Sequence, residues 1–122
     1  MIQFSFNSDE GFLEVIYEGV IQADDIISVS TYISESKDLP RDLRILTDAR
    51  MATYDFSPQT VERLAELLEN SIRKYDCIKD AFIHKHPRET AYSMLLELEN
   101  RYDTYSHKVF TNREAAVFWL SL

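Results

Sequence analysis

At 122 residues, 45% hydrophobic and 28% charged, the chain has the length of one domain and the balance of a packed globule, which excludes a mainly disordered chain. Its formal net charge of −8 repels phosphate backbones and anionic head groups, so no nucleic acid is expected as a partner, while a cationic protein surface stays compatible. A single cysteine, Cys77, excludes an intramolecular disulfide and fits a reducing compartment.

Ile2, Phe4 and Phe6 alternate with Gln3 and Ser5, the period of a strand. Asn7 to Gly11 is a turn cluster, and Phe12 to Val20, rich in β-branched and aromatic residues, is a second strand. A short turn between two strands predicts an antiparallel hairpin. Asp24 and Asp25 open a helix, with Ile26, Val29, Ser30 and Ile33 on one face and Pro40 closing it. Leu43 to Ala49 is a third strand, followed by a loop from Arg50 to Ser57. Pro58 to Asp76 is one long amphipathic helix, with Ser57 as N-cap and Val61, Leu64, Leu68, Ile72 and Tyr75 along its stripe.

Ala81 to His84 is a fourth, short strand. Pro87 begins a helix whose buried stripe is expected to be Ala91, Met94, Leu95, Leu98 and Tyr102. Lys108 to Phe110 is a fifth strand. The last helix carries a capping box of Thr111 and Glu114 and a stripe of Ala115, Ala116, Trp119 and Leu120. The order β-β-α-β-α-β-α-β-α predicts a single α/β domain over 1–122: a mostly parallel five-stranded sheet, begun by an antiparallel hairpin and flanked by helices. The longest apolar runs fall far short of the ~20 residues that span a bilayer. Met1 to Asn7 have neither the basic nor the apolar region of a signal peptide. The expectation is a cytoplasmic protein with no membrane span.

Three stretches resemble the SpoIIAA-like, STAS-type domains of bacteria. They are Tyr17-Glu18-Gly19-Val20-Ile21 before Asp24-Asp25, Leu43 to Arg50 with Phe56-Ser57-Pro58, and Val109-Phe110-Thr111 leading to Glu114-Ala115-Ala116 and Trp119-Leu120. The resemblance implies the fold just derived and, for function, a non-catalytic regulatory module that binds a protein partner or itself. The best understood STAS proteins are anti-sigma-factor antagonists, which bind a kinase and are switched by phosphorylation of a serine at the start of the helix after the third strand. Ser57 matches that serine in place, whereas Phe56, Pro58 and the lack of a following glycine depart from the pattern. The SpoIIAA-like branch has also been likened to CRAL-TRIO domains, which implies as an alternative a carrier of a small apolar or lipid-like ligand.

Ligands of open parallel sheets gather beyond the carboxyl ends of the strands. That edge is expected to collect Asp48, Arg50, Ser57, His84, His86, Arg88 and Thr111. Asp48 and Arg50 are either ligand contacts or an acid–base pair, or else Asp48 accepts hydrogen bonds from the following backbone. His84 and His86 supply two imidazoles where zinc takes three or four ligands, so no metal or other cofactor is expected. An enzyme would use Asp48, His84 and His86 together. Ser57 is either a phosphorylation site or a plain N-cap. Phe56 reads as a staple under the next helix and Tyr54 as an exposed contact. Tyr92, Tyr102 and Tyr105 form a candidate patch for self-association. Glycine-loop, nucleophile-elbow and C-x-x-C motifs are all absent. A carrier requires an enclosed apolar pocket of at least ~300 Å³.

Overall fold

The computed structural model describes residues 1–122. Its elements are β1 (Ile2–Asn7), β2 (Phe12–Ile21), α1 (Ala23–Glu35), β3 (Asp42–Tyr54), α2 (Pro58–Leu67), α3 (Glu69–Lys74), β4 (Cys77–Ile83), α4 (Pro87–Glu99), β5 (Tyr105–Phe110) and α5 (Arg113–Leu120). The five strands lie in one sheet in the order β1-β2-β3-β4-β5. β1 pairs antiparallel with β2, and every other pair is parallel. The hairpin closes on Gly11, whose φ of 79° is open to glycine at no steric cost and whose N–H donates to the Asn7 carbonyl at 2.8 Å.

Parallel strands laid down in one direction across a sheet require right-handed crossovers that all pass over the same face. α1, α2, α3 and α4 therefore share one face, here the inner face. The main core lies beneath them, drawn from Leu13, Val15 and Tyr17 on β2, Ile45 and Ala49 on β3, Ile78 and Phe82 on β4, and Tyr105 on β5. α5 follows the last strand and folds back onto the outer face. There Ala116 and Leu120 cover Leu46, Ala81 and Ile83, and Trp119 packs on Phe110. At the start of β2 Phe12 is buried in the same cluster, whereas Ile16, farther along that strand on the same face, remains 38% exposed. The guanidinium of Arg113 donates to Glu14 at 2.8 Å and ties the start of α5 to β2.

Several boundaries differ from expectation. β3 runs on through Tyr54, so the segment 50–54 is strand and not loop. β4 begins at Cys77, partly buried, and β5 at Tyr105. Asp80 is buried inside β4 and His107 inside β5; polar residues in these places break the apolar run by which a doubly covered strand is read. The long helix divides at Leu68. Short α3 braces α1: Ser71 and Ser30 share a hydroxyl contact at 3.0 Å, the Tyr75 hydroxyl donates to the Ile33 carbonyl at 2.6 Å, and Lys74 donates to the Ser34 and Ser36 carbonyls. A lysine at the carboxyl end of α1 also opposes its dipole. Asn112 caps α5 through its side chain, accepting from the Ala115 N–H at 2.9 Å, so the cap sits one residue after Thr111.

The largest departure is in α4. Its inward residues are Glu89, Tyr92 and Ser93, with Leu96 partly buried. The stripe expected to be buried points outward: Met94, Leu95 and Leu98 are 54%, 37% and 80% exposed, and Ala91 is exposed with them.

Candidate functional site

A bulge shapes the carboxyl edge. Ile16 pairs with Asp48 and Glu18 with Met51, so Tyr17 faces two residues of β3, Ala49 and Arg50. The extra residue reverses the alternation: Thr47 and Ala49 point inward before it, Ala52 and Tyr54 after it. Asp48 and Arg50 consequently stand side by side. The Arg50 Nε and Nη2 donate to the two Asp48 oxygens at 2.9 and 2.7 Å, and the Arg50 backbone N–H donates to Asp48 at 3.1 Å. These hydrogen bonds, the guanidinium's first, hold the Asp48 carboxyl below its usual range.

Asp48 and Arg50 line an open cleft of about 730 Å³ with Ile16, Met51, Lys85 and Thr111, and the buried His84 forms part of its floor. His84 is 2% exposed, and its ring packs on Phe82 and Tyr54. Its Nε2 shares a 2.6 Å hydrogen bond with the Ser93 hydroxyl, while its Nδ1 has no partner. Burial pushes its pKa down to about 4 and keeps the ring neutral. His86 is exposed at the N-cap of α4, so the two imidazoles do not share a side, and no three His, Cys, Asp or Glu groups converge as a metal-binding set.

Tyr54 is buried, not exposed: its ring clusters with those of Phe56 and Tyr92 at centroid distances of 5.2 and 5.9 Å, and those two rings lie 5.4 Å apart. Arg88 clamps this end of β3, donating to the Tyr54 carbonyl at 2.6 Å, to Glu89 at 3.0 Å and to the Tyr92 hydroxyl at 3.1 Å. Glu89 in turn accepts the Tyr54 N–H. Ser57 is exposed at the N-cap of α2, its hydroxyl 3.2 Å from that of Thr60. Tyr92 and Tyr105 are buried, which leaves Tyr102 alone at the surface and no tyrosine patch.

A second polar group lies inside the core. Tyr105 donates its hydroxyl hydrogen to Asp80 at 3.2 Å and stands 3.3 Å from His107 Nδ1, and Thr47 reaches Asp80 at 3.5 Å. Burial raises the Asp80 pKa to about 7 and lowers that of His107 to about 3. Asp80, His107, Ser93 and Glu89 were not legible as site residues. For Asp80 and His107 the available signal was alternation with inward aromatics, Asp80 before Phe82 and Tyr105 before His107, which places them on the covered face.

No protein-family model matches the chain, and no curated protein matches it. The chain superimposes on the crystal structure of an uncharacterized protein of the DUF3478 family, with a SpoIIAA-like fold, from Shewanella loihica PV-4. The match has a TM-score of 0.63 and 13% identity, over 98% of this chain and 92% of that one. The fold is SpoIIAA-like. Within it, Ser57 occupies the start of the helix that follows β3, and the charged cleft sits at the carboxyl ends of the parallel strands. No helix is long and apolar enough to cross a membrane.

Proposed function

We propose that this chain is a non-catalytic, cytoplasmic binding module that docks a protein partner on the outer face of α4. One observation carries the reading: Ala91, Met94, Leu95 and Leu98 form an apolar stripe at helical spacing that is turned to solvent. Such a face, laid into an apolar groove, is a recurring mode of protein recognition. The surrounding charge, −8 for the whole chain, favours a partner with a cationic rim. The acid–base groups support a binding role: Arg50 occupies the Asp48 oxygens and Ser93 occupies His84 Nε2. Ser57 is exposed at the amino end of α2, where the helix dipole favours a negative phosphate, so phosphorylation there is a fitting control on docking.

The test is a pull-down from host extract with the wild-type chain and with Leu98→Glu, together with phosphosite mapping and light scattering over a range of concentrations. A defined partner, or a second copy of the chain, held by the wild type and lost from the variant is the expected result. Identical captures by both proteins, with both monomeric, would refute the docking face.

A further inference from the structure

Between the inner face of the sheet and helices α1, α2 and α4 lies a cavity of about 80 Å³. Its helical side is mostly apolar, with Val61, Leu64 and Leu96, and its two serines, Ser30 and Ser93, already share hydrogen bonds with Ser71 and His84; its strand side carries Asp80, Tyr105 and His107. The volume is well below the ~300 Å³ of a drug-sized pocket, so a lipid does not fit. One water needs about 10–15 Å³, so this space admits on the order of six heavy atoms.

The hydrogen bonds on the strand side have a direction. Tyr105 spends its hydroxyl hydrogen on Asp80, so its oxygen is left to accept from His107 Nδ1–H. His107 is neutral, so a proton on Nδ1 leaves Nε2 as a bare acceptor. The His107 side chain is 0% exposed and its Nε2 has no partner. A buried acceptor of this kind is unfavourable until a donor reaches it. Of the 17 lining residues 13 are hydrophobic, which gives water filling the space few of the two to four polar partners each molecule needs. Ions of either sign are disfavoured by the apolar wall, which offers no group to replace their hydration.

We propose that this cavity is a binding site for a small uncharged hydroxyl compound of the phenol or short-chain alcohol class, its O–H donating to His107 Nε2 and its apolar body lying against Val61, Leu64 and Leu96. The site is separate from the outer face of α4, and either can fail without the other.

The experiment titrates the full chain with phenol and with toluene, which has the same body and no donor, and follows the ring nitrogens of the histidines by ¹⁵N NMR. Phenol is expected to shift His107 Nε2 saturably, to leave the exposed His86 unmoved, and to bind about tenfold more tightly than toluene, since only phenol satisfies the acceptor. His107→Phe should abolish the preference, and Leu98→Glu on the surface should keep it. If His107→Phe does not fold, the ratio of phenol to toluene binding by the wild type decides alone. Equal binding of the two probes, no saturable shift at His107, or a shift confined to His86 overturns the proposal.

Discussion

Glu89 Oε2 accepts the backbone N–H of Tyr54 at 2.9 Å, joining the end of β3 to the first turn of α4 across 35 residues of chain. The same oxygen takes Arg88 at 3.0 Å, so the buried carboxylate is held by an amide and a guanidinium together. Glu89→Ala removes the acceptor and leaves a buried amide unpaired. The expected loss is about 2 kcal/mol of stability in urea denaturation. A change below about 0.5 kcal/mol would show that this contact does not hold the two elements together.

The buried titratable groups set an acid limb. His84 and His107 have pKa values lowered by burial to about 4 and about 3, so between there and the usual histidine value near 6.5 the unfolded chain binds two protons that the folded chain refuses. Asp80, raised to about 7, acts the other way: the folded chain keeps one proton that the unfolded chain has lost. Two against one leaves the unfolded state ahead by about one proton, so stability falls as pH drops from about 6.5 to about 4, by roughly 1.4 kcal/mol per pH unit. Chemical denaturation at several pH values measures this slope. His107→Asn should flatten it.

Arg50 and Asp48 form a half-exposed pair, and such pairs contribute little to folding. Arg50→Ala should change stability by less than about 1 kcal/mol. It should also release Asp48 from its main hydrogen bonds and move its pKa up toward the ordinary carboxylate value, as read by NMR titration. An unmoved Asp48 would mean that the pair does not persist in solution.

Two leucines at helical spacing from their neighbours should behave oppositely. Leu120, 1% exposed on the sheet-facing side of α5, should lose about 2–5 kcal/mol on change to Ala. Leu98, 80% exposed, should tolerate even Glu within about 0.5 kcal/mol. Thermal unfolding of the two variants compares them directly, and a severe loss from Leu98→Glu would reverse the orientation of α4.

Capping separates the two residues before α5. Asn112→Ala should cost about 1 kcal/mol, because it removes the acceptor for the Ala115 N–H, whereas Thr111→Ala should be nearly neutral. A larger loss at Thr111 would return the cap to that residue.

Much of the architecture could be read from short stretches. Alternation in β1, the β-branched run of β2 and the stripe of α2 each record a local period, and the order of elements alone implies parallel crossovers. Ser57 and Pro58 mark the start of α2 because caps depend on a few adjacent residues. The bulge in β3 was not legible: pairing Tyr17 with two residues is a relation between strands, and it decides that Arg50 meets Asp48 and that Tyr54 turns inward.

Period tells which residues of a segment share a face, and that information lies within the chain itself. Which face is covered depends on what arrives from elsewhere. α4 illustrates the division: its sequence offers a fully apolar stripe and a mixed one, and the fold buries the mixed one because Glu89 meets the Tyr54 amide, Tyr92 donates to the Phe56 carbonyl and Ser93 meets His84. Strand order, the crowding of α1 to α4 on a single face, and the meeting of Asp80, Tyr105 and His107 in the core all arise from contacts between residues distant in sequence, which no local pattern encodes.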